Sequence, residues 1–327
     1  MPLDTTFAGL SARGEGLFIG GTRGALWITD FPGNRVDRIT TNGVKTLVVS
    51  GIGSPGRIIK GPDANIWVLG ASETINKVTP NGLVTTYTNP NNSYLWQGMC
   101  VTDNNIWITG ETGGPSNEIS LFRVTPAGSI TQETQYSGYS ELQGDLVVGN
   151  DGNLWTCVIS GSGGSFSLYA LGFNTSGVKV KSVFVAGGNR NGGFGFRSAN
   201  GNIYGISATG NASSFEIFSV DTVASSLSAG WSLGIGNWGP FCLGIDNNIW
   251  IFGGTGNALT AYSQTGSLIT NIPLGAVGSS AICLGEDKNF WMPLYTTNSV
   301  LKISTTSLLA GYSISPTGQL TDICVGP

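Results

Sequence analysis

Few side chains in this sequence could do chemistry, and histidine is absent from it. Two pairs combine an aromatic ring with an amide, at positions 96–97 and 237–238, and a tyrosine and an arginine lie in comparable places. Aromatic rings stack on sugars, and amides form paired hydrogen bonds with sugar hydroxyls. We therefore predict a ligand site, with a glycan as one ligand class; the alternative is that these residues only pack their own loops. The predicted ligand-binding residues are Arg57, Trp96, Gln97, Tyr139, Asn237 and Trp238.

No catalytic residue is predicted, because abstraction of a proton from a substrate needs a positioned base, and we find no candidate. An alternative, enzymatic interpretation would use carboxylates. These are Asp30, Glu141, Asp145 and Asp322.

The five cysteines could suggest a metal or redox site. Four of them share one place in the repeat described next, and Cys242, Cys283 and Cys324 are spaced by 41 residues. The chain has neither a Cys-x-x-Cys pair nor a histidine to complete a zinc site. We predict small buried side chains at these positions, no metal and no cofactor.

The predicted site residues are positioned by a repeat that occurs seven times. Its clearest copy is Gly-Pro-Asp-Ala-Asn-Ile-Trp-Val-Leu-Gly at 61–70. The anchor aromatics recur every 40 to 49 residues, a period typical of propellers and arrays. They are Trp27, Trp67, Trp107, Trp155, Tyr204, Trp250 and Trp291. Each unit contains four short strand-like runs separated by tight turns, which predicts an all-β, seven-bladed β-propeller with four-stranded antiparallel blades.

Each part of the repeat has a predicted structural role. The anchor tryptophans should fill the wedges between neighbouring blades. Aspartates such as Asp63 should accept backbone N–H bonds in their own turns rather than bind Ca²⁺, because no twelve-residue calcium loop follows them. The Gly/Ser insertion at 160–165 is predicted to be a longer loop between the second and third strands of its blade.

The two ends of the chain should close the ring, since closure removes exposed sheet edges. Leu320–Val325 matches the innermost strands in sequence and spacing, and Leu17–Gly20 could occupy the same place. We predict an N-terminal extension at 1–15 and a single propeller domain at 16–327.

The composition excludes several classes of partner. Only 10% of residues are charged, against about 25% in an ordinary soluble protein, and the net charge is −4. No basic footprint for nucleic acid is present, and no apolar run approaches the ~18–20 residues of a membrane span. Residues 1–7 lack the features of a secretory signal. We expect no nucleic-acid partner and no membrane insertion.

The second unit resembles the repeat of the streptogramin B (virginiamycin B) lyase-like propellers. The matching residues are Pro55, Gly56, Ile58, 61–67, 76–80, Gly82, Val84, Thr85 and Tyr87. The resemblance implies a seven-bladed propeller. It also implies a magnesium-assisted lyase that uses histidines at the entrance of innermost strands and a nearby glutamate. The histidine positions here hold Gly56, Gln97, Gly144 and Gly239, and only Asp30 keeps a carboxylate at the expected strand end.

The resemblance therefore supports the scaffold and argues against the reaction. We predict a non-enzymatic binding or structural module that contacts a glycan or a neighbouring subunit. Low charge and Gly/Ser/Thr/Asn richness suggest a virus or phage particle component, such as a fibre, spike or decoration protein, located at the particle surface. Otherwise we expect a cytoplasmic protein. The alternatives are a diverged lyase-like enzyme and a scaffold for protein partners.

Overall fold

The computed structural model describes residues 24–89, 94–102, 104–112, 118–139, 141–162, 165–187, 190–197, 201–209, 215–234, 238–254, 257–275, 278–294, 297–314 and 319–326. Within these ranges the chain forms 28 strands and no helix. The strands form seven four-stranded antiparallel sheets, the blades of a seven-bladed β-propeller, so the predicted fold class is confirmed. No helix suited to crossing a membrane is found in the described part of the chain.

The chain divides into two compact units, and one of them holds β1 to β7 and β20 to β28. Blade 1 consists of β28 (Leu320–Gly326), β1 (Ala25–Asp30), β2 (Arg35–Ile39) and β3 (Lys45–Ser50). Blade 2 consists of β4 (Ile58–Lys60), β5 (Ile66–Leu69), β6 (Thr74–Val78) and β7 (Val84–Thr88). Blade 6 consists of β20 (Trp238–Leu243), β21 (Ile249–Gly253), β22 (Ala258–Tyr262) and β23 (Leu268–Pro273). Blade 7 consists of β24 (Cys283–Leu284), β25 (Phe290–Leu294), β26 (Ser299–Ile303) and β27 (Leu308–Ser313).

The other unit holds β8 to β19. Blade 3 consists of β8 (Leu95–Val101), β9 (Ile106–Glu111), β10 (Ile119–Val124) and β11 (Ile130–Tyr136). Blade 4 consists of β12 (Glu141–Val148), β13 (Leu154–Ser162), β14 (Ser165–Phe173) and β15 (Lys179–Ala186). Blade 5 consists of β16 (Arg190–Arg197), β17 (Ile203–Thr209), β18 (Phe215–Asp221) and β19 (Ser226–Gly234).

The anchor aromatics are buried, and Trp27 and Trp107 lie in wedges between blades, as predicted. All seven are at most 1% exposed. Trp27 of blade 1 belongs to one apolar cluster with Ile58 and Val68 of blade 2. Trp107 of blade 3 belongs to another with Leu142 of blade 4. Because each ring is shared by two blades, neither blade can bury its apolar face alone.

The repeat cysteines sit opposite these rings. Cys324 pairs with Trp27, Cys100 with Trp107 and Cys283 with Trp291, and all five cysteines are buried and unbridged. A small side chain leaves room for the large ring across the ladder. No group of metal-ligating side chains occurs among the described residues. The cysteines therefore act as buried apolar residues here.

The aspartate turns hold the rings in place. Asp63 Oδ1 accepts hydrogen bonds from the backbone N–H of Asn65 at 3.2 Å and from the Trp67 indole N–H at 2.9 Å. A side chain at Gly61 would place its Cβ 2.3 Å from the Trp67 ring, so only glycine fits before this turn. The predicted turn role is confirmed, and the indole bond adds a second role that the sequence did not reveal.

Three of these turns also bind a lysine, from the third strand in blades 2 and 7 and from the outermost strand in blade 4. Lys77 Nζ lies 2.7 Å from Asp63 Oδ2 and 5.5 Å from the centre of the Trp67 ring. Asp151 with Lys181, and Asp287 with Lys302, repeat this arrangement at 3.0 and 2.8 Å. Burial alone would raise the pKa of Asp63, but hydrogen bonds from Lys77, Trp67 and Asn65 outweigh burial and hold the pKa below its ordinary value of 3.8.

The C-terminal strand completes blade 1. β28 pairs antiparallel with β1, which decides between the two candidate closing strands. The Asp322 carboxylate accepts the backbone N–H of Ile58 in blade 2 at 3.2 Å, and the Ser280 hydroxyl of blade 7 donates to Thr321 O at 2.5 Å. Residues 1–15 and Leu17–Gly20 lie outside the described residues, and the proposed domain limits remain predictions.

The insertion in blade 4 is not a loop. Its residues extend β13 and β14 as a ladder in which Ser160 pairs with Ser167, Gly161 with Phe166 and Ser162 with Ser165. The prediction of a longer loop was wrong because glycine and serine suggested a turn, whereas the flanking residues continue the pairing register of the hairpin.

Substitution of Asp63 by alanine should lower the free energy of unfolding by about 1–3 kcal/mol, because a buried indole N–H and a turn N–H lose their acceptor. The matched control is Asp246→Ala. Asp246 accepts the same bonds from Asn248 and Trp250, but Ala261 stands opposite that ring instead of a lysine. Urea denaturation should show the larger loss for Asp63→Ala. A smaller loss than that of the control would contradict a stabilising role for Lys77.

Candidate ligand-binding site

A bulge at the start of β8 positions Trp96 and Gln97, two of the predicted site residues. The pairing with β9 shifts register between Trp96 and Met99. The Gly98 N–H donates to Thr109 Oγ1 at 3.0 Å within this bulge. A Cβ at Gly98 would lie 2.7 Å from that hydroxyl and 2.8 Å from the backbone nitrogen of Leu146. Glycine at position 98 thus permits the close approach of blade 4. The bulge changes the direction of the side chains that precede Gly98 in β8.

Gln97 is held by a glutamate that the sequence analysis did not select. Its Nε2 donates to Glu111 Oε1 at 2.6 Å, and Glu111 Oε2 accepts the backbone N–H of Leu142 at 2.7 Å. The Glu111 carboxylate therefore ties the first strand of blade 3 to that of blade 4. Its two oxygens both accept hydrogen bonds, and the residue is 9% exposed.

Burial raises the pKa of the Glu111 carboxyl above its ordinary value of 4.5. The hydrogen bonds from Leu142 and Gln97 oppose this shift, and the nearby negative charge of Glu141 adds to it. The carboxyl is thus a buried acid whose charged form is disfavoured, in the place where β8 and β12 begin.

Trp96 precedes Gln97 in β8 and is half-buried; its backbone pairs with Gly110, the residue before Glu111. Its ring packs against Phe122 at 5.7 Å between ring centres and close to Gly110, where a Cβ would lie 2.9 Å from it. Its indole N–H is buried and has no acceptor among the described residues. Tyr94 packs edge-on against the same Phe122 at 5.1 Å and accepts a hydrogen bond from Gln132.

Tyr139 makes its contacts at a different strand. Its hydroxyl accepts a hydrogen bond from Lys179 Nζ of β15 at 3.1 Å, and the same ammonium lies 5.6 Å from the centres of the Tyr139 and Tyr136 rings. Lys179 belongs to the outermost strand of blade 4, whereas Trp96 and Gln97 belong to the first strand of blade 3. Their hydrogen bonds and ring contacts therefore do not join Tyr139 to the Trp96–Gln97 pair.

The remaining predicted residues belong to the other unit. Arg57 precedes β4, and its backbone oxygen accepts the N–H of Leu69 at 2.9 Å. Trp238 begins β20, where its backbone pairs with Gly253. Asn237 lies outside the described residues. Trp96 and Gln97 are consecutive residues of β8. The joint role of all six residues stays a prediction.

The carboxylates of the enzymatic alternative mostly have structural partners. Asp30 is fully buried, forms an ion pair with Arg35 at 2.9 Å and accepts the backbone N–H of Gly33 at 3.0 Å. Asp322 accepts the Ile58 N–H, as described above. Glu141 is exposed at the start of β12. Asp30 is thus committed to its own blade. Glu111 combines burial with a raised pKa, as does Asp37, which is paired with Lys45 within blade 1.

Sequence reasoning missed Glu111 by one residue. In the lyase-like repeat an acid stands at the end of this strand, at the position that corresponds to Gly110 of this chain. β9 continues to Glu111, which pairs with Leu95 and with Ile119. The available signal was the acid directly after Gly110, but its partners come from positions 97 and 142, which only the fold brings together.

No protein-family model and no curated protein sequence matches the chain. Solved structures resemble it in fold. A streptogramin B lyase structure has a TM-score of 0.63 at 18% identity, over 83% of this chain and 87% of that chain. A functionally unknown protein from Desulfotomaculum acetoxidans has a TM-score of 0.69 at 10% identity, over 93% and 99%. Hydrazine synthase from Kuenenia stuttgartiensis has a TM-score of 0.58 at 12% identity, over 79% of each chain.

What these proteins share with the chain is the fold. Sequence identities below 20% carry no activity from one propeller to another, because functions lie in the sites and not in the scaffold. The resemblance to the lyase-like propellers that the repeat predicted is confirmed at this level.

Glu111→Gln should be at least as stable as wild type at neutral pH, because it removes a buried charge and keeps the shape of the side chain. The folded-state pKa of Glu111 is raised, so the protonated carboxyl contributes stability that is present below the ordinary value of 4.5 and is lost as pH rises through the folded value. Wild type should therefore gain stability relative to Glu111→Gln as pH falls from about 8 towards 4.5.

Urea denaturation midpoints across this pH range measure the difference. The control Glu141→Gln removes the neighbouring charge and should move the titration to lower pH, because it lowers the pKa of Glu111. A difference between wild type and Glu111→Gln that does not change with pH would contradict the raised pKa.

Proposed function

We propose that the protein is a non-catalytic recognition module that binds carbohydrate at the start of β8. The observation that carries this proposal is the Trp96 indole N–H, a buried donor without an acceptor among the described residues; the next residue in β8 is Gln97, whose amide is fixed by Glu111. A buried donor without a partner costs about 1–3 kcal/mol. A ligand hydroxyl that reached it would recover that cost.

The chemistry of this place suits sugars. The half-buried Trp96 ring offers a flat apolar face for stacking against a pyranose ring. The Gln97 amide donates an N–H to Glu111, and its oxygen remains as a possible acceptor for a ligand hydroxyl. An amide fixed by a second side chain loses little conformational entropy when it binds a ligand. The pair therefore combines an apolar platform with a preset polar group.

The composition supports the broader part of the proposal. A chain with 10% charged residues, rich in glycine and small polar residues, suits a subunit of a virus or phage particle that contacts glycans or neighbouring subunits. This assignment rests on composition alone. Mass spectrometry of purified particles should detect the chain in fixed proportion to the other particle proteins. Its absence from such particles would remove this part of the proposal.

Trp96→Ala should weaken glycan binding about tenfold or more, which corresponds to about 1.4 kcal/mol or more. A glycan array identifies the binder, and a titration with that glycan measures the affinity. The matched control is Trp231→Ala. Trp231 also has a buried indole N–H without an acceptor, but it lies in the outermost strand β19 and packs against Tyr204. Equal losses in both variants, or no glycan bound by wild type, would overturn the carbohydrate proposal.

A diverged lyase-like enzyme is the second candidate, and Glu111 is the observation that favours it. A buried carboxyl with a raised pKa can act as a general acid or base. Against this, Glu111 Oε1 and Oε2 already accept bonds from Gln97 and Leu142, and an amide stands where the lyase-like propellers carry a histidine. These contacts suit a positioning role better than proton transfer.

Incubation with a streptogramin B and Mg²⁺ should leave the macrocycle intact, as measured by mass spectrometry. Hydrolysis or elimination that is present in wild type, lost in Glu111→Gln and kept in Glu141→Gln would establish the enzymatic alternative. Folding of each variant is checked by its denaturation midpoint, so that loss of structure is not taken for loss of activity.

A further inference from the structure

We propose that Glu111 and Gln97 form a proton-controlled switch, which reverses the hydrogen-bonding character of the Gln97 amide at the start of β8. When one proton binds to the Glu111 carboxylate, the amide atom left for a ligand changes from an acceptor to a donor. The switch is a property of the free protein. Its effect on ligands rests on the carbohydrate-binding function proposed above.

The Glu111 carboxylate has a donor on each of its two oxygens. Oε1 accepts the Gln97 Nε2–H at 2.6 Å, and Oε2 accepts the backbone N–H of Leu142 at 2.7 Å. An ionised carboxylate only accepts hydrogen bonds, so both contacts suit its charged form. Because the Gln97 amide turns its nitrogen to Glu111, its oxygen is the atom left as an acceptor for a ligand.

Protonation of Glu111 makes one of its oxygens a donor. The proton cannot remain on Oε2, because the Leu142 N–H is fixed in the backbone of β12 and would then face a second donor. On Oε1 the proton faces the Gln97 Nε2–H, which is also a donor. The terminal torsion of glutamine is roughly two-fold, so the amide can turn by about 180° without movement of the backbone. Its oxygen then accepts from Glu111, and its NH₂ group is left as a donor for a ligand.

The surroundings of Glu111 favour uptake of this proton. The residue is 9% exposed, and burial raises the pKa of its carboxyl above the ordinary value of 4.5. The negative charge of Glu141, which precedes Leu142 in β12, adds to the shift. The proton therefore binds at a higher pH than it would on an exposed glutamate.

The strands packed against Glu111 supply no cation to oppose this. No lysine or arginine occurs in β8, β9 or β12. In β10 the cation is Arg123, which is ion-paired with Glu133 at 2.5 Å. The other charged groups of these elements are acids, namely Asp145 of β12 and Glu118 before β10.

Glu111→Gln imitates the protonated state. The substituted amide keeps the Leu142 N–H only if its oxygen takes the place of Oε2. Its nitrogen then faces Gln97, whose amide must turn its own oxygen inward to accept. The variant should therefore hold the low-pH orientation of Gln97 at every pH, because it has no proton to gain.

NMR of the side-chain NH₂ groups in protein with isotope-labelled glutamine follows this orientation, and the Gln97 signal is identified by its loss in Gln97→Met. In wild type the signal should shift as pH falls from about 8 towards 4.5, with a midpoint above 4.5. In Glu111→Gln it should stay at its low-pH position throughout. Glu141→Gln should move the midpoint to lower pH, because it removes the neighbouring negative charge.

Gln135 is the matched control within the same blade. Its Nε2 donates to Glu118 in an exposed pair, and the described residues offer no second hydrogen bond to the Glu118 carboxylate. Either oxygen of Glu118 is thus free to take a proton, and Gln135 has no need to turn. Its signal should respond only to the ordinary titration of an exposed glutamate and should be the same in Glu111→Gln as in wild type.

Glycan affinity gives a second measurement, made with the glycan that the array identifies. A sugar hydroxyl that donates to the Gln97 oxygen loses its acceptor when the amide turns. Wild-type affinity should therefore fall about tenfold between pH of about 8 and 4.5. Glu111→Gln should bind at the weaker level at both pH values.

Two outcomes would overturn the switch: a Gln97 signal that stays constant across this pH range in wild type, or one that shifts with pH in Glu111→Gln as it does in wild type. Wild-type glycan affinity that is independent of pH would overturn the effect of the switch on the ligand site. If the Gln97 signal shifts as expected and no glycan binds, the switch stands and the carbohydrate proposal fails.

Discussion

The wedge aromatic is the contact on which the rest of each blade depends, and in blades 2, 4, 6 and 7 an aspartate accepts the indole N–H. A four-stranded blade has two apolar faces and cannot bury either without a neighbour. The indole fills the space between two blades, but it carries an N–H that would be costly to bury unpaired. Asp63 supplies the acceptor from the turn four residues earlier, so one side chain both shapes the turn and satisfies the ring.

That arrangement explains why the repeat tolerates so much variation elsewhere. The ring of Trp291, for example, is held by the Asp287 turn, by the small Cys283 opposite it and by Lys302, and a lysine contacts the aspartate in blades 2 and 4 as well. The residues at the opposite ends of the strands are then free to differ between blades. Function in a propeller is expected where the copies differ, and the structure places Trp96, Gln97 and Glu111 at such ends.

The Glu111 contact shows how the scaffold holds a buried polar group at the place where two innermost strands, β8 and β12, begin. Its carboxylate joins blade 3 to blade 4 through the Leu142 N–H, and it holds the Gln97 amide in one orientation. These two short hydrogen bonds fix the orientation of the carboxyl group between the two blades.

The sequence by itself determined the all-β class, the seven units, the buried anchors and the turn aspartates. These features are local. The side chains of a strand alternate between its two faces, and the conformation of a turn depends on its own glycine, proline or aspartate. Only the tertiary structure decided that β28 completes blade 1, since two segments had suitable sequences and the choice depended on pairing with β1. It also decided the partners of Glu111. A bulge in β8 shifts the register, and the Leu142 N–H comes from 31 residues away in the next blade, so no spacing in the sequence could have placed these groups together.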